Sequence, residues 1–251
     1  MKILLVGHKG YLGKYIHKHL DCDILDSRDI YDNGTSYDYV INCIGKPNLE
    51  YCEKNIEETY YSNCGVVADI VKYHPQSKII NFSSYYVYDE DGFCTEESKT
   101  TDQYQYCSQK LESESLVTNG VTFRIGKLFG DQDLSQNKLT EYIIRNQTLT
   151  LDDALFNPTS LKQVFNVVNY ELTTNNLNGV YNLSNNGYIS HYEYGIFISK
   201  ILNIKKTIHR VERQSRHFHN YGKFLMDTSK LNSLVDLTPW QDDITDYLKS
   251  L

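Results

Sequence analysis

Apolar residues along this chain fall into two alternating arrangements, and the alternation predicts an architecture. Residues 2–6 form a nearly continuous apolar run closed by Gly7, the pattern of a strand buried on both faces. Residues 10–20 then carry helical spacing, 22–25 read as a short strand, and 39–44 are a further buried run. Helical spacing returns over 57–74 and stops at Pro75. A strand over 78–82, a helix over 103–117 and a strand over 121–125 follow. Later, 160–173 reads as helix, 179–183 as strand, 190–202 as helix and 240–248 as a closing short helix. Such alternation predicts an α/β fold, a doubly wound parallel sheet with helices on both faces. The less regular stretches 126–159 and 185–238 are assigned to a small C-terminal lobe that binds substrate at the sheet's carboxyl edge. Residues 1–125, 160–184 and 239–251 then make up the sheet domain.

At 251 residues the chain is long enough for a sizeable core without staples. No run of eighteen apolar residues occurs, which argues against a membrane span, and the apolar N-terminal stretch is too short for a signal peptide. Six cysteines without a CxxC pair read as reduced thiols, so a cytoplasmic location is expected. A formal charge of −7 argues against nucleic acid as the main partner. Locally the balance reverses: Lys205, Lys206, Arg210, Arg213, Arg216 and Lys223 surround a single acid, Glu212. That run is either a solvated basic face or a pocket wall for a di-anionic ligand such as a nucleotide diphosphate.

Candidate chemistry begins at Gly7-His8-Lys9-Gly10-Tyr11-Leu12-Gly13, directly after the first buried strand. Glycines three apart let the backbone turn tightly and approach a pyrophosphate seated on the helix N-terminus, so the expected sheet is of the Rossmann type. Asp26, ending the second strand, would accept adenine ribose hydroxyls and favour NADH. Lys9 and Arg28 could instead pair a 2′-phosphate, and the expected cofactor is NADPH, with NADH tolerated. His17-Lys18-His19 and His217-Phe218-His219 are weighed as metal pairs and set aside, so no metal is expected.

Tyr106 is the one tyrosine with Lys at the fourth place after it, Lys110, and both fall on the expected helix 103–117. On a helix, i and i+4 share a face. Ser84 ends the preceding strand, at the carboxyl edge where ligands of open α/β sheets bind. A free phenol has a pKa near 10, and an adjacent ammonium lowers it. Tyr106 could then protonate a carbonyl oxygen as hydride arrives, with Ser84 hydrogen-bonding that oxygen and Lys110 also holding the nicotinamide ribose.

These residues resemble the extended short-chain dehydrogenase/reductase family, in particular its dTDP-4-dehydrorhamnose reductase group. The resemblance runs in order through the glycine loop, Val40-Ile41-Asn42-Cys43-Ile44-Gly45, Asn63, Phe82-Ser83-Ser84-Tyr85-Tyr86-Val87-Tyr88-Asp89, Phe123-Arg124, Asn157-Pro158-Thr159-Ser160, Gly179-Val180-Tyr181-Asn182-Leu183 and Pro239-Trp240. It implies NAD(P)H-dependent reduction of a nucleoside-diphosphate 4-keto-6-deoxy-sugar, in nucleotide-sugar and surface polysaccharide biosynthesis. Cofactor contacts are implied for Gly7, Lys9, Gly10, Tyr11, Leu12, Gly13, Asp26, Arg28, Cys43, Ile44, Gly45, Phe82, Ser83, Tyr106, Lys110 and Ile125. Substrate contacts are implied for Lys46, Ser84, Tyr86, Lys127, Arg210, Arg213 and Arg216, and a homodimer stays open.

The departures are informative. Residues 26–39 leave no room for the helix and full strand that relatives carry there, so one sheet edge should be trimmed. His219-Asn220-Tyr221-Gly222 stands where the family has Arg-Pro, and Lys127 where many relatives have an aromatic residue or Asn. Tyr86 replaces the cysteine of epimerase–reductases, and Tyr85-Tyr86 the Asp-Glu pair of 4,6-dehydratases. A plain reductase is therefore preferred over an epimerase or 4,6-dehydratase, and the retention of Tyr106, Lys110 and Ser84 favours it over a non-catalytic dinucleotide-binding subunit of the same fold.

Overall fold

The computed structural model describes residues 1–26, 30, 34–130, 138–212 and 224–251. In chain order these form β1 (Ile3–Val6), α1 (Tyr11–His19), β2 (Asp23–Leu25), β3 (Tyr39–Asn42), α2 (Leu49–Lys54), α3 (Ile56–Tyr60), a π-helical turn (Tyr61–Gly65), α4 (Val66–Tyr73), β4 (Lys78–Ser84), a 3₁₀ turn (Tyr85–Val87), β5 (Gly92–Cys94), α5 (Gln105–Leu116) and β6 (Gly120–Ile125). Then come β7 (Lys127–Phe129), α6 (Lys138–Arg145), β8 (Thr148–Asp152), β9 (Leu155–Phe156), β10 (Pro158–Ser160), α7 (Leu161–Thr174), β11 (Gly179–Leu183), β12 (Ile189–Ser190), α8 (His191–Ile201), β13 (Thr207–Val211), β14 (Phe224–Met226), α9 (Ser229–Asn232) and α10 (Trp240–Lys249). Two compact units result: residues 1–89, 98–125 and 165–182, and residues 90–97, 126–164 and 183–251.

The first unit is built on a six-stranded sheet in the order β11-β6-β4-β3-β1-β2. From β2 to β6 every neighbouring pair is parallel. β1 and β3 are buried along their whole length, as their unbroken apolar runs require. Leu4, Val6, Val40, Val66, Ile70 and Ile79 form one side of the core, each worth about 1.5–3 kcal/mol when buried. The sheet ends at β2, consistent with the short 26–39 interval.

One expected element is divided. In place of a single helix over 57–74, α3 and α4 flank the π-helical turn Tyr61–Gly65. Single π-turns inside helices re-aim side chains and recur at functional sites. Here the turn buries Asn63. Gly65 suits it, because a Cβ there would lie 2.8 Å from the Tyr61 ring. α2 was not foreseen; Asn48 caps it by accepting a hydrogen bond from the Tyr51 N–H.

The second unit is less irregular than its sequence suggests. It pairs β7 with β10, β8 with β13 and β5 with β14 in parallel, and β9 with β12 antiparallel. Its core gathers Phe129, Ile143, Leu149, Leu151, Phe156, Tyr194 and Ile198 with Trp240, Ile244, Tyr247 and Leu248 of α10. By these contacts α10, expected with the sheet domain, belongs to the second unit. A buried polar node supports the packing: Asp243 accepts hydrogen bonds from Ser160 Oγ at 2.5 Å and Asn185 Nδ2 at 2.7 Å. No helix among the described residues is long and apolar enough to cross a membrane.

Candidate active site

The glycine loop is a cradle that side chains would fill. Gly7 has φ +88°, and a Cβ there would lie 2.7 Å from the Ile44 side chain and 2.9 Å from the Cys43 backbone. At Gly13 the same atom would lie 2.1 Å from the Gly7 carbonyl oxygen. The backbone therefore turns as tightly as the spacing implies, and the Cys43–Ile44 segment packs directly against it. Gly10 precedes α1 without a side-chain cap, and the first turn of α1 holds no acid. Amides at such a helix end suit a phosphate. Leu12 is buried, while Tyr11 is half-buried.

Behind the loop, two opposed cofactor signals meet. Lys9 Nζ lies 2.5 Å from Asp26 Oδ2, and His8 Nδ1 lies 3.8 Å from Asp26 Oδ1. The hydrogen bond from Lys9 holds the Asp26 carboxyl below its ordinary range. The lysine expected to attract a 2′-phosphate thus masks the acid that would repel one. Arg28 lies outside the described residues.

The three side chains expected to react are buried. Tyr106 is 4% exposed, Lys110 3% and Ser84 6%. Ser84 Oγ accepts the Tyr86 N–H at 3.2 Å, capping the 3₁₀ turn with a lone pair and keeping the hydroxyl proton for another acceptor. Lys110 Nζ donates to the Phe82 carbonyl oxygen at 2.8 Å, tying α5 to β4. Burial lowers the Lys110 pKa to about 8. Tyr86, half-buried, sets its ring edge-to-face on Tyr106 at 6.4 Å. In the β4–β6 register Ser84 lies beside Ile125, the buried Ser83 beside Arg124 and Phe82 beside Phe123.

A network missed by sequence reasoning supports this set. Asn63 Oδ1 accepts the Lys46 N–H at 2.7 Å, and Asn63 Nδ2 donates to Gln109 Oε1 at 2.8 Å. Gln109 Nε2 in turn donates to Thr59 Oγ1 at 3.2 Å. Gln109, adjacent to Lys110, thereby locks α5 against the π-turn. A Cβ on Gly45 would contact both Lys110 Nζ and Asn63 Oδ1 at 3.6 Å, so glycine keeps this region open. Lys46 contributes its backbone here; its ammonium lies 3.8 Å from Glu58 at the surface. Nothing in the sequence marks Gln109, since a single buried glutamine has no periodicity. All six cysteines are free thiols. Burial raises the Cys43, Cys52 and Cys64 pKa values, so they stay protonated near Lys110.

The second unit carries the other expected cations. Lys127 Nζ lies 3.4 Å from His191 Nε2 and 5.4 Å from the Phe156 ring centre. His191 Nδ1 lies 2.8 Å from Asp152 Oδ1. Arg210 Nε donates to both Asp153 oxygens at 2.8 and 3.0 Å and stands 5.3 Å from the Tyr192 ring. Arg213, Arg216 and the 217–222 stretch lie outside the described residues. No group of three or more His, Cys, Asp or Glu able to hold a metal occurs among the described residues.

Comparison with known proteins adds to this geometry. A family model described as the RmlD substrate binding domain matches residues 1–251. The chain is similar to a solved dTDP-4-dehydrorhamnose reductase from Clostridium acetobutylicum, with TM-score 0.84 and 21% identity over 100% of this chain and 99% of that one. A Bacillus anthracis dTDP-4-dehydrorhamnose reductase in complex with NADP superposes with TM-score 0.85 at 20% identity, again over 100% and 99%. A third, from Yersinia enterocolitica, gives TM-score 0.83 at 19% identity over 99% of each chain. No curated protein matches the chain.

Proposed function

The chain belongs to the RmlD substrate binding domain family, and from that premise we propose that it uses NADPH to reduce the 4-keto group of a nucleoside-diphosphate 6-deoxy-sugar. The observation that carries this reading is the buried set of Tyr106, Lys110 and Ser84, on a fold whose tight glycine turn opens a helix N-terminus suited to a pyrophosphate. The NADP complex of the Bacillus anthracis reductase supports the choice of cofactor.

Gly7, Gly10 and Gly13 would hold the pyrophosphate, with Tyr11 and Leu12 opening the helix beneath it. Lys9 would exchange Asp26 for the 2′-phosphate, or leave Asp26 to a ribose when NADH binds. Cys43, Ile44, Gly45, Phe82, Ser83 and Ile125 would line the remainder. When bound, the nicotinamide supplies a hydride.

The protein's own groups handle the proton. Ser84 donates its hydroxyl proton as a hydrogen bond to the substrate carbonyl oxygen, which polarises it. Tyr106 transfers its phenolic proton to that oxygen as negative charge develops. Lys110, mostly charged below pH 8, stabilises the phenolate left behind. Tyr86 shields Tyr106 from water with its ring. Lys127 and Arg210, with Arg213 and Arg216, are assigned to the diphosphate, and Lys46 to the substrate's approach. Such a reaction supplies activated 6-deoxy-sugars for surface polysaccharide, in the cytoplasm.

The test is NADPH oxidation followed by absorbance against dTDP-, UDP-, GDP- and CDP-4-keto-6-deoxy-sugars. Turnover with one of them, abolished in Tyr106→Phe, is expected. A chain that binds NADPH and reduces none of the four would defeat the reading.

A further inference from the structure

Resting on the reductase reading, we propose that Glu53 is a positioning residue for Tyr106: from α2, its carboxylate caps the helix turn on which that phenol stands. Tyr106 is the second residue of α5, and the opening turn is where a helix is weakest, because its first amides have no carbonyl partner within the helix. α5 brings little of its own to that end. Tyr104, at the N-cap, makes no side-chain capping hydrogen bond, and the first turn holds no acid. The acceptor comes instead from 52 residues away, where Glu53 Oε1 accepts the Gln105 N–H at 2.8 Å. A carboxylate in that place also meets the positive end of the helix dipole.

The other neighbour of Tyr106 is held as well. The Cys107 thiol donates to the Tyr86 carbonyl at 3.2 Å, joining α5 to the 3₁₀ turn that Ser84 caps. Burial, and then the Glu53 charge, push the Cys107 pKa up to about 12, so the thiol keeps the proton it donates. Tyr106 thus stands between two fastened residues, Gln105 tied to α2 and Cys107 to the Ser84 turn. α2 is a firm support. Cys52, next to Glu53 and fully buried, donates its thiol to the Lys46 carbonyl at 3.2 Å, and Asn63 Nδ2 donates to the same oxygen at 3.3 Å. The π-turn therefore reaches α5 twice, through Gln109 beside Lys110 and through Lys46, Cys52 and Glu53 beside Tyr106.

A general acid works only within hydrogen-bond reach of the oxygen it protonates, and a misplacement of about 1 Å can cost about a hundredfold in rate. Removing the Glu53 carboxylate leaves the Tyr106 phenol and the glycine loop in the chain and loosens only the turn between them and the substrate carbonyl. The chemical step should suffer while cofactor binding does not. Glu50, on the same helix, is the contrasting acid: it pairs with Lys54 at 2.6 Å with both side chains exposed.

The experiment compares the full-length parent with Glu53→Ala, Glu53→Gln and Glu50→Ala. NADPH oxidation against the four 4-keto-6-deoxy-sugars gives kcat and KM, calorimetry gives NADPH affinity, and mass spectrometry gives amide hydrogen exchange over residues 104–107. We expect Glu53→Ala to lower kcat about tenfold with KM and NADPH affinity near parental, and to speed exchange in that segment about tenfold. Glutamine retains an acceptor oxygen, so Glu53→Gln should recover most of both losses, and Glu50→Ala should behave as the parent. Faster exchange in Glu53→Ala beside a parental kcat would overturn the positioning role and leave the reductase reading standing. A joint loss of kcat, KM and NADPH affinity that Gln does not rescue would also overturn it, because it marks a merely structural glutamate. A parent that reduces none of the four sugars defeats the reductase reading, and the positioning role falls with it.

Discussion

Arg124 and Glu114 in the first unit meet through two hydrogen bonds, at 3.0 and 2.7 Å, with both side chains 7% exposed. Arg210 and Asp153 in the second unit make a similar pair at 2.8 Å, yet Arg210's side chain is 64% exposed. The chemistry is alike and the surroundings differ. Water screens the second pair and holds its components cheaply when they separate. The first pair was stripped of water on folding, so each partner depends on the other. The same contrast separates the proposed site residues, with Tyr106, Lys110 and Ser84 buried, Lys127 half-buried and Arg210 exposed. Catalysis needs fixed geometry, whereas charge recognition tolerates cations that rearrange on binding.

The sharpest way to break this contrast is to delete one acid from each unit. Glu114→Ala should cost about 3–5 kcal/mol, because it takes the carboxylate from a buried guanidinium. Asp153→Ala should leave thermal unfolding unchanged. Melting curves of both variants check the difference, and equal shifts would end the comparison.

Next comes the chemistry. Tyr106→Phe should lower turnover at least about a hundredfold, the scale of a lost general acid. NADPH affinity, read by calorimetry, should change little. Near-parental rates would remove Tyr106 from the mechanism.

Lys110 tests whether a locked reactive group is held at the expense of stability. Its folded pKa, about 8, lies below the ordinary lysine value because burial disfavours the ammonium. The sign follows from linkage: the penalty is full below pH 8 and is relieved as pH rises toward the unfolded value. Lys110→Met should therefore be inactive yet more stable than the parent at pH 7, by about 1–3 kcal/mol. That advantage should shrink as pH rises from 8 to about 10. A constant difference across that range, measured by denaturant unfolding, would mean that the lysine is not desolvated.

The smallest effect concerns Lys9. Lys9→Ala removes a phosphate partner and unmasks Asp26, so NADPH binding should weaken while NADH binding changes little. Equal loss for both cofactors in calorimetry would place Lys9 at the shared pyrophosphate.

Much of the first unit was legible because its signals are local. The continuous apolar runs at 2–6 and 39–44 correspond to strands buried throughout, and β2, next to the shortened 26–39 interval, is the sheet's edge. Gly7 and Gly13 were marked by spacing, and the missing side chains at both are required by contacts under 3 Å. Tyr106 and Lys110 share a helix face because four residues make about one turn. Each inference spans a few residues, over which covalent geometry and helix pitch determine what can meet.

Other features depend on distant segments, and no window of the sequence contains them. Helical spacing over 57–74 hides the π-turn, since one extra residue per turn changes the pattern little, while Asn63 finds its partners at Lys46 and Gln109. Asp26 and Lys9 read separately as rival cofactor signals, and only the packing of β2 beside β1 makes them a pair. The second unit read as irregular because its strands are two to five residues long, too short for periodicity to register. Residue types and local spacing by themselves determined the sheet, the glycine cradle and the Tyr106–Lys110 face. Which charges are buried, masked or exposed was decided by tertiary structure, because electrostatic strength depends on desolvation and on groups brought together from far along the chain.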